Sequence, residues 1–141
     1  MLPEKPIIIL DTNILFSALL RSESNFADVV FGMDYNFFIC ELVLVELFKR
    51  KEKIVKLTQL TEEEVIRTYH IFLKRINLYK EDLITIDNLL KAYELCRDVD
   101  ETDTPHVALT MELNGLLWTG DKKLKLGLKQ KGFTQFFEPS I

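Results

Sequence analysis

Ile7-Ile8-Ile9-Leu10 is an unbroken run of branched apolar residues that stops on a carboxylate, Asp11. A short continuous run of this kind suits a strand covered on both faces, as in a parallel sheet. The pattern recurs. Asn36-Phe37-Phe38-Ile39-Cys40, Leu83-Ile84-Thr85-Ile86 and Leu116-Leu117-Trp118 read as further strands, and residues 134–137 as a last one. Helix-length segments lie between them. Ser24 can cap a short helix carrying Phe26, Val29 and Val30, and residues 41–50 are helical in length, with Lys51–Leu57 continuing or breaking from them. Thr61 and Glu64 form a capping box ahead of Val65, Tyr69, Phe72 and Ile76. Asp87 suits the N-cap of a helix reaching Arg97, Pro105 the first turn of the next, with Thr104 or Asp103 as its cap, and Asn114-Gly115 its end. Residues 121–131 make a final helix stopped by Gly132. Alternating strands and helices predict an α/β fold, a parallel sheet flanked by helices. At 141 residues the chain fits one domain, 1–141.

Composition narrows the class. Hydrophobic residues at 48% and charged residues at 28% are ordinary for a globular chain, which argues against disorder. Cys40 and Cys96 fall in apolar settings without ligand spacing, so both read as buried thiols in a reducing compartment. No apolar run approaches a membrane span, and the start lacks a leader pattern, so the expected location is the cytoplasm. The net charge of −4 hides an uneven distribution. Lys49-Arg50-Lys51 with Lys53 and Lys56 form one basic cluster, and Lys122-Lys123 with Lys125, Lys129 and Lys131 form another. These clusters are either phosphate contacts or solvated helix faces.

The acids fall where a parallel sheet binds ligands, beyond the carboxyl ends of its strands. Asp11 follows the first strand directly, and Asp121 follows Leu116-Leu117-Trp118 across Thr119-Gly120. If those strands are neighbours, ~4.8 Å apart, the two side chains converge. Glu46 interrupts Leu42-Val43-Leu44-Val45 and Leu47-Phe48, and a charge on an apolar helix face is costly unless paired or metal-bound. Asp100-Glu101-Thr102-Asp103 adds three acids at a helix start, and the residues alone do not choose among them. Each acid has a plainer reading: a helix cap for Asp11, Asp103 and Asp121, an outward-pointing side chain for Glu46. Gathered together, they must either protonate or hold a cation. Hard oxygens suit Mg²⁺ or Mn²⁺, and a carboxylate-held metal pair serves phosphodiester hydrolysis. His106 lies close to these acids, with an exposed helix position as its plain reading.

These motifs resemble a family. Ile8-Ile9-Leu10-Asp11-Thr12-Asn13-Ile14-Leu15, Leu44-Val45-Glu46-Leu47, Asp103-Thr104-Pro105-His106-Val107-Ala108-Leu109 and Leu117-Trp118-Thr119-Gly120-Asp121-Lys122 are similar, in order and spacing, to the four acidic motifs of PIN-domain ribonucleases. The resemblance implies a Rossmann-like three-layer sandwich with a central parallel sheet, and one acidic pocket binding Mg²⁺ or Mn²⁺. It implies an endoribonuclease acting on single-strand or structured RNA. Asp11, Glu46, Asp103 and Asp121 become the catalytic metal ligands, Asp100 an outer acid, Asn13 a hydrogen-bonding residue of the pocket, and Thr119 a residue that orients a carboxylate or water. Lys49, Arg50, Lys122 and Lys123 become candidate RNA contacts. The chain length is similar to VapC-type toxins, which implies a cognate antitoxin that blocks the pocket and a homodimer. Phe133, Phe136 and Phe137 suit either such an interface or the core.

Three rivals are weaker. A phosphatase with an Asp nucleophile needs a second Asp two residues on, where this chain has Asn13. A signalling receiver domain needs paired acids near the first strand end, which Asp11 lacks. An inactive scaffold for RNA or protein has no reason to keep all four carboxylates. Toxin and housekeeping RNA-processing roles remain open.

Overall fold

The computed structural model describes residues 5–21, 26–32 and 34–139. Its elements are β1 (Ile7–Leu10), α1 (Thr12–Leu20), α2 (Phe26–Gly32), β2 (Asn36–Cys40), α3 (Glu41–Lys49), α4 (Lys51–Leu57), α5 (Glu62–Arg75) and β3 (Ile76–Tyr79), followed by α6 (Ile86–Cys96), α7 (Thr104–Glu112), β4 (Leu116–Trp118) and α8 (Lys122–Gln130). Single 3-10 turns, Glu81–Leu83 and Glu101–Asp103, precede α6 and α7. The strands form one four-stranded sheet in the order β3-β2-β1-β4 with every pairing parallel. Helices flank it, the α/β Rossmann-like arrangement the alternation predicts.

β1 lies inside the sheet, and Ile8, Ile9 and Leu10 are fully buried, as a continuous apolar run requires. Its register with β4 sets Leu10 opposite Trp118. Phe26 stacks on Trp118 at 6.0 Å, and Phe137 meets the same indole edge-on at 5.4 Å. Phe133, Phe136 and Phe137 are buried, so they belong to the core and not to an interface. Phe136 makes a parallel bridge to Leu117, which extends the β4 edge where the sequence suggests a last strand.

Two expectations shift. The third strand is Ile76–Tyr79 rather than residues 83–86. Ile76 fits both the helical spacing from Phe72 and the strand alternation with Leu78. The helix ends at Arg75, whose Nη2 donates to Val30 O at 3.1 Å, and Ile76 turns extended to pair with Phe37. Residues 83–86 instead link a 3-10 turn to α6, with Ile84 alone buried. The N-cap of α6 is Thr85, not Asp87. Glu112 of α7 accepts from the Thr85 amide, the Thr85 hydroxyl and Asn88 Nδ2, at 2.9, 3.0 and 2.8 Å, so a distant carboxylate anchors the start of α6. The α3–α4 segment breaks at Arg50. The capping box at Thr61 and Glu64 is present. The Ser24 cap lies outside the described residues.

Gly115 tests the packing of β4 on β1. A Cβ there would lie 2.7 Å from Ile7 O and 2.7 Å from Ile9 Cδ1. A backbone carbonyl in the central strand has no room to yield, so Gly115→Ala is expected to cost about 1–3 kcal/mol in denaturant unfolding. Both cysteines are free and buried, and burial pushes the Cys40 thiol up to about 12 and the Cys96 thiol up to about 11. An aromatic disulfide reagent at pH 8 should therefore react with neither thiol until the protein unfolds. No helix of the described residues is long and apolar enough to cross a membrane.

Candidate active site

Strand order places the site. From β1 the chain steps outward through β2 to β3, then returns to lay β4 on the other side of β1. The direction of winding reverses between β1 and β4, and crevices open at such points, beyond the carboxyl ends of the strands. Asp11 and Asp121 stand there. A cleft of about 90 Å³ is lined by Asp11, Thr12, Asn13, Glu46, Arg50, Asp100, Thr102, Asp103, His106 and Asp121.

The plain reading of Asp11 and Asp121 as helix caps holds, and both side chains also line the cleft. Asp11 caps α1 by accepting from the Ile14 amide at 3.0 Å, and Asp121 caps α8 by accepting from the Leu124 amide at 3.0 Å. Each cap commits a carboxylate oxygen, and the Thr119 hydroxyl also bonds the Asp11 carboxyl. Asp103 differs. It sits at the N-cap of α7 yet makes no side-chain cap bond, so its carboxylate is not spent on the helix. Asp100 accepts from the Thr102 amide and hydroxyl at 3.0 and 2.6 Å. Asp100, Asp103 and Asp121 offer oxygens all within 4.8 Å of one another. Glu101, which the residues alone leave as an alternative, is exposed and outside the cleft lining.

Glu46 reaches the cleft from α3 and does not point outward. Thr12 Oγ1 donates to its Oε1 at 2.8 Å, and Arg50 Nη2 lies 3.9 Å from its Oε2. The apolar residues around it part to either side: Val43 and Leu47 enter the core, while Leu44, Val45 and Phe48 are exposed. Thr119 is buried behind the cleft, and its hydroxyl accepts from the Asp121 amide at 3.1 Å.

Electrostatics follow from this crowding. Burial raises Asp11 to about 6, against the opposing pull of the Thr119 hydroxyl and the Ile14 amide. Burial first, then the charges of Asp100, Asp11, Asp121 and Glu46, push Asp103 up to about 7. Carboxyls this high are groups short of positive charge.

His106 corrects an expectation. It is buried, because α7 is packed all round over the turn Val107, Ala108, Leu109 and Thr110. Its Nδ1 lies 3.4 Å from Cys40 Sγ, and burial lowers its pKa to about 4, so it is uncharged near pH 7. Of the basic candidates, Arg50 lines the cleft, whereas Lys49, Lys122 and Lys123 are exposed and outside the lining. Sequence reasoning passed over Thr12 and Thr102, which hold Glu46 and Asp100. Their signal is a hydroxyl beside an acid, and too many such pairs occur for it to stand out.

A family profile described as PIN domain matches residues 9–136. The crystal structure of VapBC2 from Rickettsia felis bound to a DNA fragment from their promoter contains a similar fold, at TM-score 0.61 and 19% identity over 85% of this chain and 92% of that chain. No curated protein matches the chain. PIN domains are generally nucleases. With the match running from Ile9 to Phe136 and so taking in all four acidic motifs, the chain belongs to the PIN domain family.

Proposed function

We propose that this chain is a divalent-metal-dependent endoribonuclease that hydrolyses RNA phosphodiester bonds, acting as a single PIN nuclease domain in the cytoplasm. The observation that carries this reading is the convergence of Asp11, Glu46, Asp100, Asp103 and Asp121 on one small cleft at the sheet's switch point. The donor set fits a hard cation. Its oxygens come from carboxylates, Asp103 has no cap to satisfy, and the one imidazole present is engaged by Cys40 through Nδ1. Mg²⁺ or Mn²⁺ matches such ligands. Asp11, Glu46, Asp103 and Asp121 would hold it, with the more exposed Asp100 at the rim.

Bound there, the cation supplies positive charge to a phosphate and lowers the pKa of water beside it. The chain's own residues supply position. The helix caps at Ile14 and Leu124 lock Asp11 and Asp121, Thr12 locks Glu46, and Thr102 locks Asp100. A site oriented before substrate arrives spends little on reorganisation. Asn13, exposed at the cleft, offers an amide to a phosphate oxygen. His106, buried and neutral near pH 7, lacks the imidazolium proton that a general acid would give up. The test is cleavage of a mixed-sequence single-stranded RNA in Mg²⁺, Mn²⁺ or EDTA. Metal-dependent cutting supports the reading; no cutting in any metal, with no binding of Mn²⁺, leaves a scaffold.

The toxin role, with a cognate antitoxin as partner, is favoured over housekeeping processing by one surface feature. An apolar groove of about 200 Å³ lined by Leu15, Ile39, Leu44, Leu47, Phe72, Leu73, Ile76 and Leu78 lies along the β3 edge. Leu73 at its lip is 86% exposed. An exposed apolar lip of this kind would suit a protein partner. The similar solved structure is of VapBC2 bound to promoter DNA. The homodimer implied by the family would use a different surface from the buried Phe133, Phe136 and Phe137. Induction of the chain alone should arrest growth, and co-expression with a protein encoded beside it should relieve the arrest. Indifference to induction points to processing.

A further inference from the structure

Arg50 occupies the corner between α3 and α4, on the wall of the cleft. Its guanidinium is held from two sides. Nη2 lies 3.9 Å from Glu46 Oε2, and Cζ stands 5.4 Å from the centroid of the Phe16 ring. Lys53, one turn along α4, places Nζ 6.0 Å from the same ring. Phe16 is half-buried and lies one helical turn along α1 from Asn13, which also lines the cleft. Two cations therefore share one aromatic ring at the margin of an acidic cleft.

Like charges repel, so this pairing needs a compensating anion or stays loose. The contact with Glu46 is long for an ion pair, and the Arg50 side chain is 42% exposed. Among the described residues, Glu46 is the one ionic partner of its five N–H donors. An aromatic face fixes the plane of the guanidinium, and an oriented guanidinium offers the two-pronged fork that matches a phosphate. A cation bound among the carboxylates would also take over the charge of Glu46 and free Arg50 for a new partner.

We infer that Arg50 and Lys53, oriented by Phe16, form the subsite that grips the RNA phosphates next to the cleaved one, so that the bound strand leaves the cleft along α1 and α4. This rests on the ribonuclease reading. It assigns Phe16 a positioning role, which neither its half-buried place nor its residue type announces. Lys122 and Lys123 are not part of the subsite.

The test is binding of a fluorescein-labelled 12-nucleotide single-stranded RNA, followed by anisotropy between 50 and 200 mM salt in Mg²⁺. An Asp121→Asn background keeps the RNA intact. Arg50→Ala and Lys53→Ala should each lower the slope of log affinity against log salt by about 0.7, the value of one phosphate contact on a single strand. Lys129→Ala is the matched control. Lys129 also sits over an aromatic ring, 5.7 Å from the Phe136 centroid, but at the far end of α8, and its loss should leave the slope unchanged. Phe16→Leu should weaken binding severalfold and Phe16→Trp should not. In an Arg50→Ala/Lys53→Ala background, Phe16→Leu should have no further effect, because nothing is left to orient. A slope untouched by the Arg50 and Lys53 changes overturns the subsite while the nuclease reading stands. An equal effect of Lys129→Ala, or a Phe16→Leu loss that persists in the double background, also overturns it. Failure of the parent protein to bind RNA at all overturns both.

Discussion

Asp11→Asn and Asp121→Asn should each lower RNA cleavage by at least about 100-fold while the protein stays folded. A metal-held charge is worth several kcal/mol to a phosphoryl transition state, and each 1.4 kcal/mol is a factor of ten in rate. The isosteric amide removes the charge but keeps an acceptor oxygen. Asparagine caps a helix about as well as aspartate. The caps at Ile14 and Leu124 should therefore survive, and melting temperatures should not fall. Asp11→Ala is the contrast: it loses the cap as well, at about 1 kcal/mol. Cleavage retained by both amide variants would remove these carboxylates from the chemistry. Loss of cleavage together with loss of folding would assign them to structure alone.

The second large effect concerns stability without metal. Asp103 is pushed up to about 7 and Asp11 to about 6, from 3.8. Between about pH 4 and pH 7 the folded chain therefore binds more protons at these two groups than the unfolded chain. Stability from them falls as pH rises through that window and is lowest above pH 7. His106 works the other way. Lowered from 6.5 to about 4 by burial, it makes the unfolded chain the stronger proton binder between those values. Asp98, Glu64 and Glu112 are lowered and exposed, so their contribution is lost only below about pH 4.5, at the lower edge of the window. The wild-type profile sums these slopes, and a variant difference isolates the carboxyl. In EDTA, Asp103→Asn should match the wild type near pH 4 and exceed it at pH 8 by on the order of 3 kcal/mol, after discounting for partial exposure. That corresponds to roughly 10 °C in melting temperature. Saturating Mn²⁺ should reverse the order at pH 8, stabilising the wild type by about 4.1 kcal/mol at a thousandfold excess over its dissociation constant. A gap between the two proteins that does not change with pH would mean Asp103 ionises freely and the crowding is not felt.

Much of the architecture was legible because its signals are local. Ile7–Leu10 reads as a buried strand from four residues, and the capping box of α5 from two. Placing Asp11 and Asp121 at strand ends needs only the positions of those strands. The misplaced third strand shows the limit. Ile76 satisfies both a helical and an extended period, and the choice is made by Phe37 and by the Val30 carbonyl that holds Arg75, neither of them near in sequence. The cap of α6 was missed for the same reason, since Glu112 acts on it across 27 residues.

The sequence by itself determined the alternation of strands and helices, and hence a parallel sheet with acids at its carboxyl ends, because both depend on side-chain periodicity and on order along the chain. Only the tertiary structure decided which acids meet. Laying β4 beside β1 brought Asp121 toward Asp11, and α7 carried Asp103 in with no cap to occupy it. The same packing buried His106, left Glu101 outside and turned Arg50 toward Phe16. Those outcomes depend on distances between residues far apart in the chain, which no local pattern encodes.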